Sequence, residues 1–145
     1  YFRNDFINKF FGASKQKVID AYDNLDSMYD NVLKNSEDGL RTWDGARGSS
    51  STKTCGFFGN DSFNTDTAMA IYNSIENEIL SHNNDEQLVE RLKRFELTPL
   101  MHLAIKNSNY RTAFINLCSS LGVTWVGENL SLSDVINNPN FWTQF

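Results

Sequence analysis

The segment KQKVIDAYDNLDSMYDNVLKN, residues 15–35, carries the clearest periodic pattern in the sequence and decides the fold class. Its apolar side chains recur at alternating steps of four and three, which is the spacing of one face of an α-helix. These residues are Val18, Tyr22, Leu25, Tyr29, Val32 and Leu33. The opposite face is polar and carries Asp20, Asp23, Asp26, Asp30 and Lys34. We therefore predict one long amphipathic helix over residues 15–35.

Helical patterns continue on both sides of this segment, and strand patterns are nearly absent. Upstream, Gly12 is expected to end a short helix and Ser14 to cap the next one. Downstream, the predicted helices span residues 64–80 (capped by Thr65 or Asp66), 85–95, 99–106, 110–121 and 131–138. Residues 44–62 are rich in Gly and Ser, which predicts a flexible loop near 45–62. The sequence thus predicts an all-α fold, a single domain of six to seven helices.

Composition narrows the classes of function. The chain has 145 residues, of which 40% are hydrophobic and 13% aromatic, which is enough to bury a core. It has no apolar run of the roughly 20 residues that a membrane span needs, so we expect a soluble protein. Its formal charge of -5 shows no basic face, so we expect no nucleic-acid partner. The cell compartment stays undecided.

Aromatic residues are the most unusual feature of the sequence. Near the N-terminus, Phe2, Phe6, Ile7 and Phe10 recur along one face of a short helix, and Phe141 and Trp142 are expected to anchor the C-terminal segment. Aromatic side chains dominate both protein cores and interfaces, so a place in the core is the alternative for each of them. We expect part of this surplus to lie on a groove or patch that binds a partner. The binding candidates are Phe6, Phe10, Trp43, Phe57 and Phe58.

The absence of a complete catalytic motif favours a non-enzymatic helical module that docks a partner protein through an apolar groove, or that forms a homo-oligomer. A structural role in an assembly, such as a capsid or scaffold, is an alternative. An asparagine-rich composition is typical of AT-rich genomes and suggests a virus or pathogen as the source. We expect no cofactor and no metal site.

Cys55 and His102 support a different hypothesis, a thiol hydrolase or transferase. A thiol becomes nucleophilic when a nearby base or a helix N-terminus stabilises the thiolate. His102 lies near the start of a predicted helix, which makes it the natural base for Cys55. Alternatively, Cys55 packs as a small apolar residue or forms a disulfide with Cys118, the only other cysteine.

Overall fold

The computed structural model describes residues 2–35, 64–127 and 130–144, and these residues are mostly helical. Their α-helices are α1 (Phe2–Phe11), α2 (Lys15–Asn35), α3 (Thr65–Ser81), α4 (Glu86–Lys106), α5 (Arg111–Ser120) and α6 (Leu132–Asn137). Short 3₁₀ segments span Gly12–Ser14, Ser108–Tyr110 and Phe141–Gln144, and an antiparallel pair of strands is formed by β1 (Trp125–Gly127) and β2 (Leu130–Ser131). The all-α prediction is confirmed, and the predicted loop near 45–62 lies outside the described residues. None of the described helices combines the length and the hydrophobicity of a membrane-crossing segment.

α1 and α2 meet at a tight corner. Gly12 adopts a φ of 46°, in the left-handed region that glycine enters without steric cost, so α1 ends where the sequence predicts. Across the corner, the Arg3 guanidinium donates to the carboxylates of Asp23 at 2.6 Å and Asp26 at 3.0 Å. These acidic side chains are exposed, and exposed ion pairs contribute little free energy. The two hydrogen bonds therefore help to fix the orientation of α1 relative to α2 and contribute little to the free energy of unfolding.

α2 has the predicted bounds and buries the face that its periodicity indicates. Its fully buried apolar residues are Val18, Ala21, Leu25 and Met28. Ser14, the expected cap of α2, is itself buried, and its hydroxyl donates to a carboxylate oxygen of Glu78 on α3 at 2.8 Å. This bond ties the start of α2 to α3.

α3 begins one residue after its cap. Asn64, and neither Thr65 nor Asp66, caps the helix, because its side-chain oxygen accepts from the backbone N–H groups of Asp66 and Thr67. The backbone of Asn64 is still extended, which is the conformation that N-cap residues adopt. The inner face of α3 buries Ala68, Ile71 and Ile75.

α4 is one helix of 21 residues, where the sequence predicts two. The prediction that a new helix begins at Pro99 is therefore wrong. Inside a helix, Pro99 donates no hydrogen bond and its ring crowds the carbonyl of Phe95, at a cost of about 3 kcal/mol. Both halves of α4 bury apolar side chains, and each buried leucine contributes about 1.5–3 kcal/mol, so packing outweighs the proline. The buried residues are Leu88, Leu92, Glu96, Pro99, Leu100, His102, Leu103, Ala104 and Ile105.

Two apolar clusters form the core, and α4 contributes to both. The first joins α1, α2, α3 and α4, and the second joins α4, α5, α6 and the C-terminal 3₁₀ segment. Tyr72 and Tyr110 pack against both clusters, with their ring centroids 6.1 Å apart. In the second cluster, Phe141 is 1% exposed and Trp142 is 8% exposed. The predicted C-terminal anchor is confirmed.

α5 ends in a Schellman motif that turns the chain toward β1. The N–H of Val123 donates to the carbonyl of Cys118 at 2.9 Å, and the N–H of Gly122 donates to the carbonyl of Ser119 at 3.2 Å. Gly122 has a φ of 67°, which the motif requires. The glycine therefore stops α5 at the position that the sequence predicts.

Replacing Gly122 with Ala should lower the free energy of unfolding by about 1–2 kcal/mol, because a Cβ disfavours the left-handed conformation. A Cβ at this position would have no atom within 4 Å, so the whole effect is conformational. Gly127→Ala is the matched control, since its Cβ would make only ordinary contact with Leu130 and its φ lies outside the left-handed region. Urea unfolding of both variants checks this, and equal effects would contradict it.

Candidate functional site

Three phenylalanines of α1 form an exposed row, which we call the aromatic row. Phe2, Phe6 and Phe10 follow one another at four-residue spacing and are 90%, 50% and 36% exposed. The rings of Phe6 and Phe10 are stacked, with centroids 5.0 Å apart and planes at 18°. Ile7, which the sequence places on the same face, is buried together with Phe11 on the flank of α1 that packs against the core. The prediction of a shared face is wrong because the core takes the Ile7 and Phe11 stripe.

α4 holds the C-terminal end of the aromatic row in place. The Arg91 guanidinium carbon lies 4.4 Å from the centroid of the Phe10 ring, and its Nη1 donates to the Phe10 carbonyl at 2.7 Å. Below the row, the ring of Phe11 meets the edge of Phe95 on α4, with centroids 6.0 Å apart. The C-terminal end of the row therefore packs against α4, and the Arg91 guanidinium lies at that end.

The exposed area of the aromatic row is large for a surface feature. Taking about 200 Å² for one phenylalanine side chain, the three exposed fractions amount to an apolar patch on the order of 350 Å². The largest apolar patch of a typical monomer measures about 300–600 Å² and is often functional. The row therefore has the size expected of a binding patch.

Phe6 and Phe10 are the two binding candidates of the sequence that the structure describes, and it places them side by side. Trp43, Phe57 and Phe58 lie outside the described residues. Their role in binding stays a prediction.

His102 lies in the interior between α2 and α4 and is 2% exposed. Its Nε2 is 3.2 Å from the hydroxyl of Tyr29 on α2. Burial lowers the pKa of the imidazole to about 3, so the ring is neutral near pH 7. Cys55, its predicted partner, lies outside the described residues, and the catalytic pair stays a prediction.

Cys118 is buried in the second cluster with 1% of its surface exposed, and it forms no disulfide within the part of the chain that the structure describes. Burial raises its pKa, which reduces the fraction of reactive thiolate at neutral pH. Its predicted disulfide with Cys55 stays a prediction, because Cys55 lies outside the described residues.

Glu96 on α4 is a buried carboxyl that lies against Glu76 on α3, and neither residue is among the candidates predicted from the sequence. Glu96 is 2% exposed, and its Oε2 has no hydrogen-bond partner among the described residues. Burial, a hydrogen bond with the Glu76 side chain and the charge of Glu76 raise the pKa of Glu96 to about 9, and Lys93 opposes this shift. Burial and the two glutamates raise the pKa of Tyr72 to about 12, with a further contribution from Tyr110. Glu96 is therefore a neutral carboxylic acid at pH 7.

The spacing of α4 contains the signal for this pair. Leu88 and Leu92 point inward, and Glu96 stands four residues further along the same stripe. Glu96 packs between α4 and α3, so its protonation state acts on the packing of these two helices. We assign it no catalytic role.

Comparisons with known proteins return no match. No protein-family model matches the sequence, and neither a curated protein nor a solved structure matches the chain. The function proposed below rests on the residues of this chain alone.

Proposed function

We propose that the protein is a non-enzymatic interaction module that docks another protein through the aromatic row. The observation that carries this proposal is the exposure of Phe2 and Phe6, at 90% and 50%, on a helix whose other face is anchored in the core. Phenylalanine is enriched at protein interfaces relative to the remaining surface. The Phe6 and Phe10 rings are already stacked, so these two side chains lose little conformational freedom on binding, which favours affinity.

The aromatic row fits a partner that offers an apolar groove. Helix-in-groove recognition uses apolar anchors three or four residues apart along one helix, and the row keeps four-residue spacing. Because Arg91 covers the Phe10 end, the matching end of the groove should carry a carboxylate. The row thus specifies both the shape and the charge of its partner.

A second copy of the chain is a less suitable partner for the aromatic row than a different protein. In a symmetric dimer the row would meet the same row of the second copy, and this patch alone is less than half of the about 800 Å² that each partner of a stable interface buries, whereas a different protein can also contact residues around the row. Two copies also carry a formal charge of -5 each, so they repel each other at long range. These arguments favour a different protein over a symmetric dimer built on the row.

The test uses peptides selected from a displayed random library on the wild-type protein, with binding measured by fluorescence anisotropy. We expect the double variant F2S/F6S to bind the selected peptides at least about tenfold more weakly, which corresponds to 1.4 kcal/mol. Both positions are exposed, so the unfolding free energy should change by no more than about 0.5 kcal/mol per site.

Leu80→Ser is the matched control, because Leu80 is 68% exposed on α3 and does not belong to the row. It should leave peptide affinity unchanged. Equal affinity of wild type and F2S/F6S would overturn the proposal. So would wild-type binding to neutral lipid vesicles that F2S/F6S abolishes, since the row would then be a membrane contact, or a wild-type dimer that F2S/F6S dissociates.

A further inference from the structure

The helical hairpin of α1 and α2 carries opposite charges at its two ends. At its closed end, where the helices are joined, residues 8–17 and the adjacent Arg91 bring four cations and no acidic residue: Lys9, Lys15, Lys17 and Arg91. At its open end, residues 2–7 and 18–30 bring a single cation, Arg3, and five acidic residues: Asp5, Asp20, Asp23, Asp26 and Asp30. The closed end is therefore basic and the open end acidic.

The charges of the open end lie on the surface. All five aspartates are exposed. The Arg3 guanidinium donates to Asp23 and Asp26, which places the N-terminus of α1 beside the middle of α2. One cation is thereby shared by two carboxylates, so the open end keeps its acidic character.

The charges of the closed end are exposed as well, since its three lysines all lie on the surface. Two carboxylates approach this end from the neighbouring helices. Glu90 pairs with Arg94 at 2.8 Å, so that pair adds no net charge. The side chain of Glu78 is mostly covered and accepts from Ser14, and its single charge does not cancel four cations. The closed end thus stays basic.

The aromatic row runs from one end of the hairpin to the other. Phe10 lies at the closed end against Arg91, and Phe2 lies at the open end next to Arg3 in sequence. At 1.5 Å per residue, the row is about 12 Å long. The Debye length at physiological ionic strength is about 8 Å. A charged group of the partner therefore responds mainly to the end of the row at which it lies.

We infer that the partner lies along the aromatic row in one direction, with an acidic end at Phe10 and a basic end at Phe2. This inference rests on the docking function proposed above. Apolar contact hardly sets the direction, because the row offers the same side chain, phenylalanine, at both ends and at equal spacing. Charge does set it, because the opposite direction would bring like charges together at both ends. The partner is thus a protein segment whose acidic and basic residues are separated along its length.

The test uses the tightest peptide that the wild-type protein selects from the displayed library. We expect acidic residues in one half of this peptide and basic residues in the other. A second peptide has the acidic and basic residues exchanged. Each peptide carries a nitroxide at its N-terminus, and the paramagnetic broadening of backbone amides is measured by NMR on the ¹⁵N-labelled full chain.

The broadening should be centred on residues 8–11 for the peptide whose labelled terminus is acidic, and on residues 2–5 for the peptide whose labelled terminus is basic. The exchange of charges should thus move the label from one end of α1 to the other. Broadening of the same end by both peptides, equal broadening of both ends, or a selected peptide with mixed charge order would overturn the inference.

A charge variant of the closed end gives a second test. Lys9→Glu should weaken binding of the selected peptide at least about fivefold, and the effect should shrink as NaCl is raised from about 50 mM to about 500 mM. Lys106→Glu is the matched control, because each lysine is exposed in the last turn of its helix and Lys106 lies about 22 Å along α4 from Arg91. The control should leave affinity unchanged.

Equal effects of the two lysine variants would refute the inferred direction. F2S/F6S separates that result from a failure of the proposed function. If F2S/F6S weakens binding while Lys9→Glu and Lys106→Glu act alike, docking at the row stands and only the direction falls. If F2S/F6S has no effect, the docking function itself falls.

Discussion

Replacing Phe141 with Ala is expected to lower the free energy of unfolding by about 3–5 kcal/mol, because the ring is buried and its loss leaves a cavity. Phe141 is 1% exposed, and its ring meets that of Trp142 edge-on, with centroids 4.9 Å apart. Trp142 in turn meets Phe114 on α5 with centroids 5.9 Å apart. The C-terminal segment thus completes the second cluster. Because a domain has a total stability of about 5–15 kcal/mol, a loss of about 3–5 kcal/mol is a large part of its free energy of unfolding.

Urea unfolding monitored by circular dichroism measures this effect. Ile136→Ala is the matched control, since Ile136 lies close by in sequence but is 54% exposed, and it should cost less than about 1 kcal/mol. If Phe141→Ala cost no more than the control, the C-terminal anchor would not be part of the core.

Glu96→Gln is expected to raise the free energy of unfolding at pH 7 by about 1–3 kcal/mol. The folded protein holds the Glu96 carboxyl protonated, with its pKa raised to about 9 by burial and by Glu76, whereas the unfolded chain titrates near the ordinary value of 4.5. The folded state therefore binds more protons, and stability falls as pH rises from about 4.5 to about 9. A glutamine keeps the shape and a hydrogen-bond donor toward Glu76 but has no proton to lose.

The pH dependence separates this effect from simple repacking. The stability difference between Glu96→Gln and wild type should be smallest below pH 4.5, grow through pH 7 and level off above pH 9. Glu90→Gln is the control, because Glu90 is exposed and pairs only with Arg94 at 2.8 Å, so its effect should stay within about 0.5 kcal/mol. A constant difference at every pH would show that Glu96 is charged in the folded protein.

Periodicity in the sequence predicts helices well where one face alone is apolar. In α2 the acidic residues leave only one stripe to bury, so its bounds and its inner face both follow from the spacing. The C-terminal anchor follows similarly, because Phe141 and Trp142 are large apolar neighbours after a proline and have nowhere else to pack. The bounds of α2 and the C-terminal anchor both depend on the residues of one short segment, so they can be predicted from the sequence.

Features that depend on contacts between distant segments do not follow from the sequence. On α1 both stripes are apolar, and only the packing of α2 and α4 against the helix decides that Phe11 is buried and Phe6 exposed. A local rule begins a new helix at Pro99, but packing along both halves keeps α4 continuous. The second apolar cluster brings together residues of α4, α5 and α6, and no pattern within any one of these segments indicates their meeting.

Because α4 contributes side chains to both apolar clusters, neither cluster can lose its packing without loosening the helix that supports the other. The two clusters should therefore unfold in one cooperative transition, although they form separate groups of contacts.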